Sequence, residues 1–241
     1  MNEPLIEVAG LSFQYDDGTL ALNGVNFRLL PAETVALLGP NGSGKTTFSL
    51  HLNGLLQGSG EVTVCGIRVE KKNLAAVRRK VGVLFQDPDE QLFMPSVLDD
   101  VAFGPLSYGV PAPEATQRAL RALAQVGMSH ARDRAPYHLS AGEKRRVALA
   151  GVLSMEPEIL VLDEPTTFLD PPGQRDLVTL LGALPQAKII ATHDTALARA
   201  LATRAAFFQK GTIIAEGTVE EIIQRFHWEA RLSPEYPHLP A

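Results

Sequence analysis

Apolar residues in this chain fall mostly into short runs separated by glycine, proline and charged clusters, and only a few stretches carry a helical repeat. Short apolar runs bounded by turn residues read as strands, and those lacking polar alternation read as strands buried on both faces. On this pattern residues 5–12, 25–29, 34–38, 61–64, 81–85, 159–162, 189–192, 205–209 and 212–216 are predicted strands, and residues 46–53 a predicted helix. Their spacing predicts an α/β fold with a parallel core sheet and an antiparallel β portion near the N-terminus. Between Phe85 and Ile159 the strand signal disappears. There residues 98–103, 113–127 and 140–155 are helical, and the middle segment sets Ala119, Leu120, Leu123 and Val126 along one stripe. Residues 87–157 therefore read as a helical subdomain inserted into a single domain that covers residues 1–241. Residues 107–113 look loop-like, and so does the tail after Trp228, where Pro234, Pro237 and Pro240 oppose regular structure.

One segment between a predicted strand and a predicted helix carries chemistry. Gly39-Pro40-Asn41-Gly42-Ser43-Gly44-Lys45-Thr46-Thr47 fits the phosphate-binding loop G-x-x-x-x-G-K-S/T in the strand-loop-helix context that pattern requires. Glycines there let successive backbone N–H groups point inward, and the helix N-terminus adds positive potential. A nucleoside polyphosphate fits such a cradle: Lys45 reaches its β- and γ-phosphates and the Thr46 hydroxyl holds Mg²⁺.

Composition narrows the setting. With 241 residues and 45% hydrophobic content, one large core is expected. Cys65 is the only cysteine, so a disulfide framework is excluded; a buried strand thiol and a reducing cytoplasm are expected. Apolar runs are too short to cross a bilayer, so any membrane role is expected to come through a partner. A net charge of −5 argues against nucleic-acid binding, which rewards clustered Lys and Arg. His51, His130, His138, His227 and His238 share no ligand spacing with Cys65 or with one another, and no structural metal site is expected.

A second element supplies carboxylates. Ile159-Leu160-Val161-Leu162 reads as a buried parallel strand, and Asp163-Glu164 follow at its C-terminal end, where open α/β sheets bind ligands. Asp163 is placed to support Mg²⁺ directly or through water, and Glu164 to polarise an attacking water. Further along, Ser140 and Glu143 match an S-x-x-E capping box at a helix start. The same N-terminus, presenting Ser140 and Gly142, is also an anion site, and it has a use if it meets the nucleotide of another subunit.

With these segments in hand, the chain resembles the ATP-binding-cassette ATPases over nearly its whole length. Leu139 to Glu143 is similar to the family signature LSGGQ, and residues 39–47 and 159–164 match the two nucleotide motifs. The resemblance implies further roles. Gln86 stands where the family's loop glutamine links Mg²⁺ and water to the helical subdomain. His193 matches the switch histidine near the γ-phosphate, Tyr15 the aromatic that stacks on adenine, and Leu169-Asp170 the loop at a dimer seam. It also implies ATP and Mg²⁺ as cofactors and a second cassette, joined head to tail around two nucleotides with Ser140 and Gly142 acting in trans. Three positions depart from the pattern: Ala141 replaces a signature glycine, Glu143 a glutamine, and Phe168 a small residue. Glu143 is expected to weaken ATP-driven closure unless its charge is absorbed by capping or by Lys144 and Arg145.

Residues 83–93 and 99–105, with Glu143 to Gly151, resemble the ATPases of energy-coupling-factor importers, most closely the cobalt and nickel branch. That implies a peripheral subunit on the cytoplasmic face of the membrane, docked on a transmembrane coupling protein, with separate membrane subunits capturing cargo. Cobalt is the first expectation, nickel the second and a vitamin the third. The competing reading is a cassette protein acting on ribosomes or chromosomes; this chain has one module and no sustained heptads. A P-loop kinase outside the cassette family would leave Leu139 to Glu143 without a purpose.

Overall fold

Strands dominated by apolar residues form the centre of the molecule. In the computed structural model, which describes residues 3–229, β3 (Thr34–Leu38), β7 (Ile159–Asp163) and β8 (Ala187–Ala191) are buried at every position. With β6 (Val81–Leu84) they pair in parallel in the order β3, β8, β7, β6. On the other side of β3, β9 (Arg204–Gln209) continues the parallel sheet and β10 (Thr212–Gly217) closes its edge antiparallel. A separate antiparallel sheet is built from β1 (Ile6–Gln14), β2 (Leu20–Leu29), β4 (Ser59–Val64) and the short β5 (Ile67–Arg68), in the order β2, β1, β4, β5.

The helix after the phosphate loop, α1 (Lys45–Leu52), packs Phe48 and Leu52 into a core shared by both sheets. Val8, Leu11 and Phe27 of the small sheet and Val35, Val161 and Ile189 of the large one belong to that same core. After it comes α2 (Leu74–Lys80). The segment between β6 and β7 folds as α3 (Val97–Ser107), α4 (Ala112–Gln125) and α5 (Ala141–Leu153). Val101, Ala119, Leu123 and Val147 from these helices join Leu160 and Leu162 of β7 in one cluster, so the helical layer is continuous with the opposite face of the sheet. The C-terminal half adds α6 (Pro171–Ala183), α7 (Thr195–Leu201) and α8 (Val219–Phe226).

The sequence pattern named none of α2, α6, α7 and α8. Three of them carry caps written locally: Asp170 accepts from Gly173, Asp194 from Ala196 and Leu197, and Thr218 forms a full capping box with Glu221. Strand β2 begins at Leu20, earlier than its apolar run, because pairing with β1 carries the ladder through polar residues. Helix α3 runs on to Ser107 with Pro105 inside it, so the loop before α4 is shorter than expected. Leu120 of the predicted stripe is only half-buried, and Ala115 and Ala122 are buried instead. The proline-rich tail and His238 lie outside the described residues.

Cys65 corrects an expectation. It is not a buried strand thiol: it follows β4 in the turn to β5, half-buried, with φ 46°. Burial pushes its thiol up to about 11, and the Glu158 carboxylate, 3.5 Å from Sγ, pushes in the same direction. Since the thiolate is the nucleophile, labelling of native protein at pH 7.5 by a disulfide reagent is expected to run roughly 10²-fold slower than in denaturant. Equal rates in the two states contradict the assignment.

Candidate functional site

The loop between β3 and α1 takes its shape from glycines that no other residue can replace. Gly39 has φ 136°, and a Cβ there would lie 2.1 Å from the Phe208 carbonyl oxygen. At Gly44, φ 107°, a Cβ would lie 2.6 Å from the Ala21 carbonyl oxygen. The loop is thus pressed against β9 and β2 while α1 starts directly after Gly44. Lys45 is buried, and its Nζ donates to the carbonyls of Gly39 at 2.7 Å and Pro40 at 3.1 Å. Burial lowers its pKa, opposed by the charges of Glu164 and Asp163. Ser43 Oγ is also buried and has no partner among the described residues. A buried cation and an orphaned hydroxyl beside free helix N–H groups form a site that fits a polyphosphate.

This loop is one wall of a cleft of about 430 Å³. Into it the fold brings Tyr15, Asn41, Gly42, Ser43, Gly44, Lys45, Thr46, Thr47, Gln86, Asp163, Glu164 and His193, contributed from across the chain. Gly39 lies behind the loop and does not line it. Ser140 and Gly142, at the start of α5, do not line it either. Thr19, Leu20, Ala21 and Thr167 complete the wall; sequence reasoning missed them because nothing in their residue types marks a site.

The carboxylates hang from the C-terminal end of β7. Asp163 is 6% exposed; burial raises its pKa above the ordinary 3.8, while the Thr46 hydroxyl, Lys45 and Arg145 pull it down. A buried carboxylate beside a threonine hydroxyl and the Gln86 side of the cleft is a hard oxygen set that fits Mg²⁺. Glu164, with φ 43°, is held from three directions. One oxygen accepts from the Thr192 hydroxyl at 3.0 Å; the other accepts from His193 N at 3.1 Å and from His193 Nδ1 at 2.8 Å. Because the carboxylate only accepts, Nδ1 carries the proton. Sequence reasoning placed Glu164 and His193 in the same site but did not foresee that they touch.

Tyr15 follows β1 and is 40% exposed, with its hydroxyl 3.0 Å from Thr47 Oγ1. Phe13 meets both Tyr15 and His51 edge-on, with centroids 4.9 and 4.8 Å apart, and His51 Nδ1 donates to the Thr47 carbonyl at 2.7 Å. Tyr15 is therefore fixed to α1 while it lines the cleft.

The start of α5 carries the expected capping box: Glu143 N donates to Ser140 Oγ, and Ser140 N to the Glu143 carboxylate at 2.8 Å. These bonds hold the Glu143 carboxyl below its ordinary range, Ser140 first and Arg134 after it. Of the two expected ways of absorbing this charge, capping or Lys144 and Arg145, the structure shows the first. Lys144 pairs with Asp89 at 2.6 Å and Arg145 turns inward to backbone carbonyls, so the cap and Arg134 take that part. Phe168, 75% exposed with φ 65°, stands beside Leu169 on the surface.

Comparison with known proteins gives a consistent picture. Residues 22–167 match the sequence profile of the ABC transporter family. The energy-coupling factor transporter ATP-binding protein EcfA of Methanothermobacter thermautotrophicus is 48% identical over 226 residues, covering 91% of this chain and 73% of that one. Among solved structures, cbiO1 of Clostridium perfringens, part of the ABC transporter complex cbiONQ, superposes with a TM-score of 0.82 at 37% identity, covering 93% of this chain and 92% of that one. A dimeric ATP-binding cassette, MJ0796, in a post-hydrolysis state with ADP and Pi, superposes with a TM-score of 0.80 at 26% identity, covering 89% and 98%.

The raised pKa of Asp163 has a thermodynamic consequence. A carboxylate that binds its proton more tightly in the folded state loses stability as pH rises from its unfolded value through its folded one. At pH 7, above the range in which an unfolded carboxylate titrates, the buried group is a net cost. Asp163→Asn is therefore expected to raise the melting temperature of nucleotide-free protein at pH 7 by a few degrees, with the gain shrinking as the pH is lowered into the carboxylate range. A lower melting temperature than the parent at pH 7 contradicts this.

Proposed function

The chain belongs to the ABC transporter family of ATP-binding cassettes, and from that premise we propose that it energises an energy-coupling-factor importer whose cargo is cobalt ion. As a transporter ATPase it uses ATP and Mg²⁺. The observation that carries the reading is the convergence of the phosphate loop after β3, the Asp163-Glu164 pair after β7 and His193 after β8 on one cleft at the carboxyl edge of the parallel sheet.

In this reading Lys45 and the amides of residues 42–47 grip the phosphates, and Tyr15 offers its ring to adenine. Thr46, Gln86 and Asp163 would hold Mg²⁺, which when bound would neutralise charge on the phosphates. Glu164 takes the proton of the attacking water; the Thr192 hydroxyl and His193 aim its carboxylate, and His193 meets the γ-phosphate. Ser140 and Gly142 are turned to the nucleotide of a second copy, in keeping with their place outside this chain's own cleft. The backbone N–H groups at the start of α5 do that work, so Ala141 is tolerated.

Docking to a membrane coupling protein is supported by an apolar notch between the segment after β6 and the helices α3 and α5. Phe93, 63% exposed, meets Phe103, 42% exposed, edge-on at 4.9 Å. Together with Leu92, Gly104, Val147 and Gly151 they line a hollow of about 150 Å³. No helix among the described residues is long and apolar enough to cross a membrane, so the reading places the chain peripherally, on the cytoplasmic face. Cobalt rests on the resemblance of residues 83–93 and 99–105 to the cobalt and nickel branch; nickel and a vitamin follow in that order.

Two measurements test this. Glu164→Gln is expected to bind ATP as the parent does, lose turnover by about 10²-fold or more, and accumulate as an ATP-bound dimer in sedimentation. Near-parental hydrolysis removes Glu164 from the role. Detergent-solubilised complexes purified through this chain from native cells are expected to contain membrane proteins and to support cobalt uptake in vesicles. Recovery with ribosomes or nucleoid instead, or uptake confined to nickel or a vitamin, overturns the corresponding part of the reading.

A further inference from the structure

Among the described residues Arg145 is the most completely buried charged side chain, at 1% exposure, and the reaction just described leaves it without a task. It lies on α5, one turn past the Ser140 cap, and its guanidinium is met by backbone carbonyls. Nη1 donates to the Phe85 carbonyl at 2.6 Å; Nη2 donates to the Gln86 carbonyl at 2.5 Å and, more weakly, to the Thr167 carbonyl at 3.4 Å. Thr167 closes the turn after Glu164, its N–H donating to the Glu164 carbonyl at 3.1 Å. A single planar fork therefore joins the backbone that carries Gln86, the turn that follows the catalytic carboxylate and the helix that begins with Ser140.

Neighbouring bonds make this a clamp. Lys144 Nζ grips Asp89 at 2.6 Å, so consecutive basic residues of α5 hold both ends of the loop 85–89. From the other side Gln91 fastens the loop to β6, its Oε1 accepting from Phe85 N at 2.9 Å and its Nε2 donating to the Val83 carbonyl at 3.3 Å. Gln86 thus has its backbone fixed while its side chain, exposed and lining the cleft, is free to meet a ligand.

We propose that Arg145 is a positioning residue that ties the backbone of Gln86 and the turn after Glu164 to helix α5, so that the Gln86 side chain is held where it can act in the cleft. The inference rests on the reading of Gln86 as a Mg²⁺-side residue. The guanidinium is suited to the task because its donors are coplanar and fixed: the Gln86 carbonyl cannot shift without rotating the fork, and the fork cannot rotate without moving α5 or releasing Thr167. A lysine reaches one carbonyl at a time and keeps part of the tie.

The test is binding of a fluorescent ATP analogue with Mg²⁺ and with EDTA, read beside steady-state hydrolysis, for Arg145→Met, Arg145→Lys, Gln86→Ala and the Arg145→Met/Gln86→Ala pair. Affinity in EDTA reports the phosphate loop and is expected to stay within twofold of the parent in every variant. The strengthening of binding by Mg²⁺ is expected to fall at least fivefold in Gln86→Ala and in Arg145→Met, with no further fall in the pair, since both changes act on one group. Arg145→Lys is expected to recover part of it. Parental Mg²⁺ strengthening in Arg145→Met, with Gln86→Ala impaired, overturns the proposal alone. Parental values in both overturn the reading of Gln86 and the proposal with it. Should Arg145→Met not fold, Arg145→Lys decides: a Mg²⁺ strengthening equal to the parent's, with a melting curve like the parent's, overturns the tie.

Discussion

Lys45, Arg145, Asp163 and Glu164 are all buried at the carboxyl edge of one parallel sheet, and the arrangement of the rest of the site follows from what it takes to keep such charges there. Removing a charge from water costs several kcal/mol unless partners replace the lost hydration. Lys45 and Arg145 are met by backbone carbonyls, Glu164 by a hydroxyl, an amide and an imidazole. Asp163 is the least compensated, and its raised pKa records that. A site in which the cations use up carbonyls and one carboxylate stays short of partners is poised for a ligand that brings both negative phosphate and positive metal. Binding then offsets a cost that burial of these groups imposes.

The same balance ranks the ties between the helical layer and the sheet. Lys144 and Asp89 form an ion pair with Asp89 largely exposed, a kind usually worth about 0–1 kcal/mol. Arg145 is buried, and a hydrogen bond made by a charged group typically contributes about 1.5–3 kcal/mol. The inward member of the clamp therefore carries the coupling, and the outer one trims the loop. Helix α5 is mechanically one piece with the loop after β6, while its N-terminal cap faces outward. That combination suits an element that must respond to one nucleotide and contact another.

Local chemistry was legible in the sequence, and long-range pairing was not. The phosphate loop, the apolar runs of β3 and β7, the acids that end β7 and the Ser140 capping box are each written in consecutive residues, and each forms as expected. The contact between Glu164 and His193 spans 29 positions and joins the ends of neighbouring parallel strands, which no periodicity reports. Arg145 sits among Lys144 and Arg146 in a basic run that reads as a solvated face; only the packing of α5 on the loop after β6 turns it inward. Cys65 failed for a related reason: it stands off the alternation of Val62 and Val64 and one residue past β4, where the backbone has already turned.

In the proposed reading the site is complete only when a second copy presents Ser140 and Gly142. A chain carrying Cys65→Ala, Lys45→Ala and Ser140→Cys, which has the reactive thiol but a crippled phosphate loop, can be mixed with a cysteine-free chain whose Lys45 is intact. An ATP analogue with a thiol-reactive γ-phosphate then has one place to bind and one thiol to label. Covalent labelling of the first chain that depends on the second is expected. Labelling that appears only when Lys45 and the introduced cysteine occupy the same chain contradicts that reading.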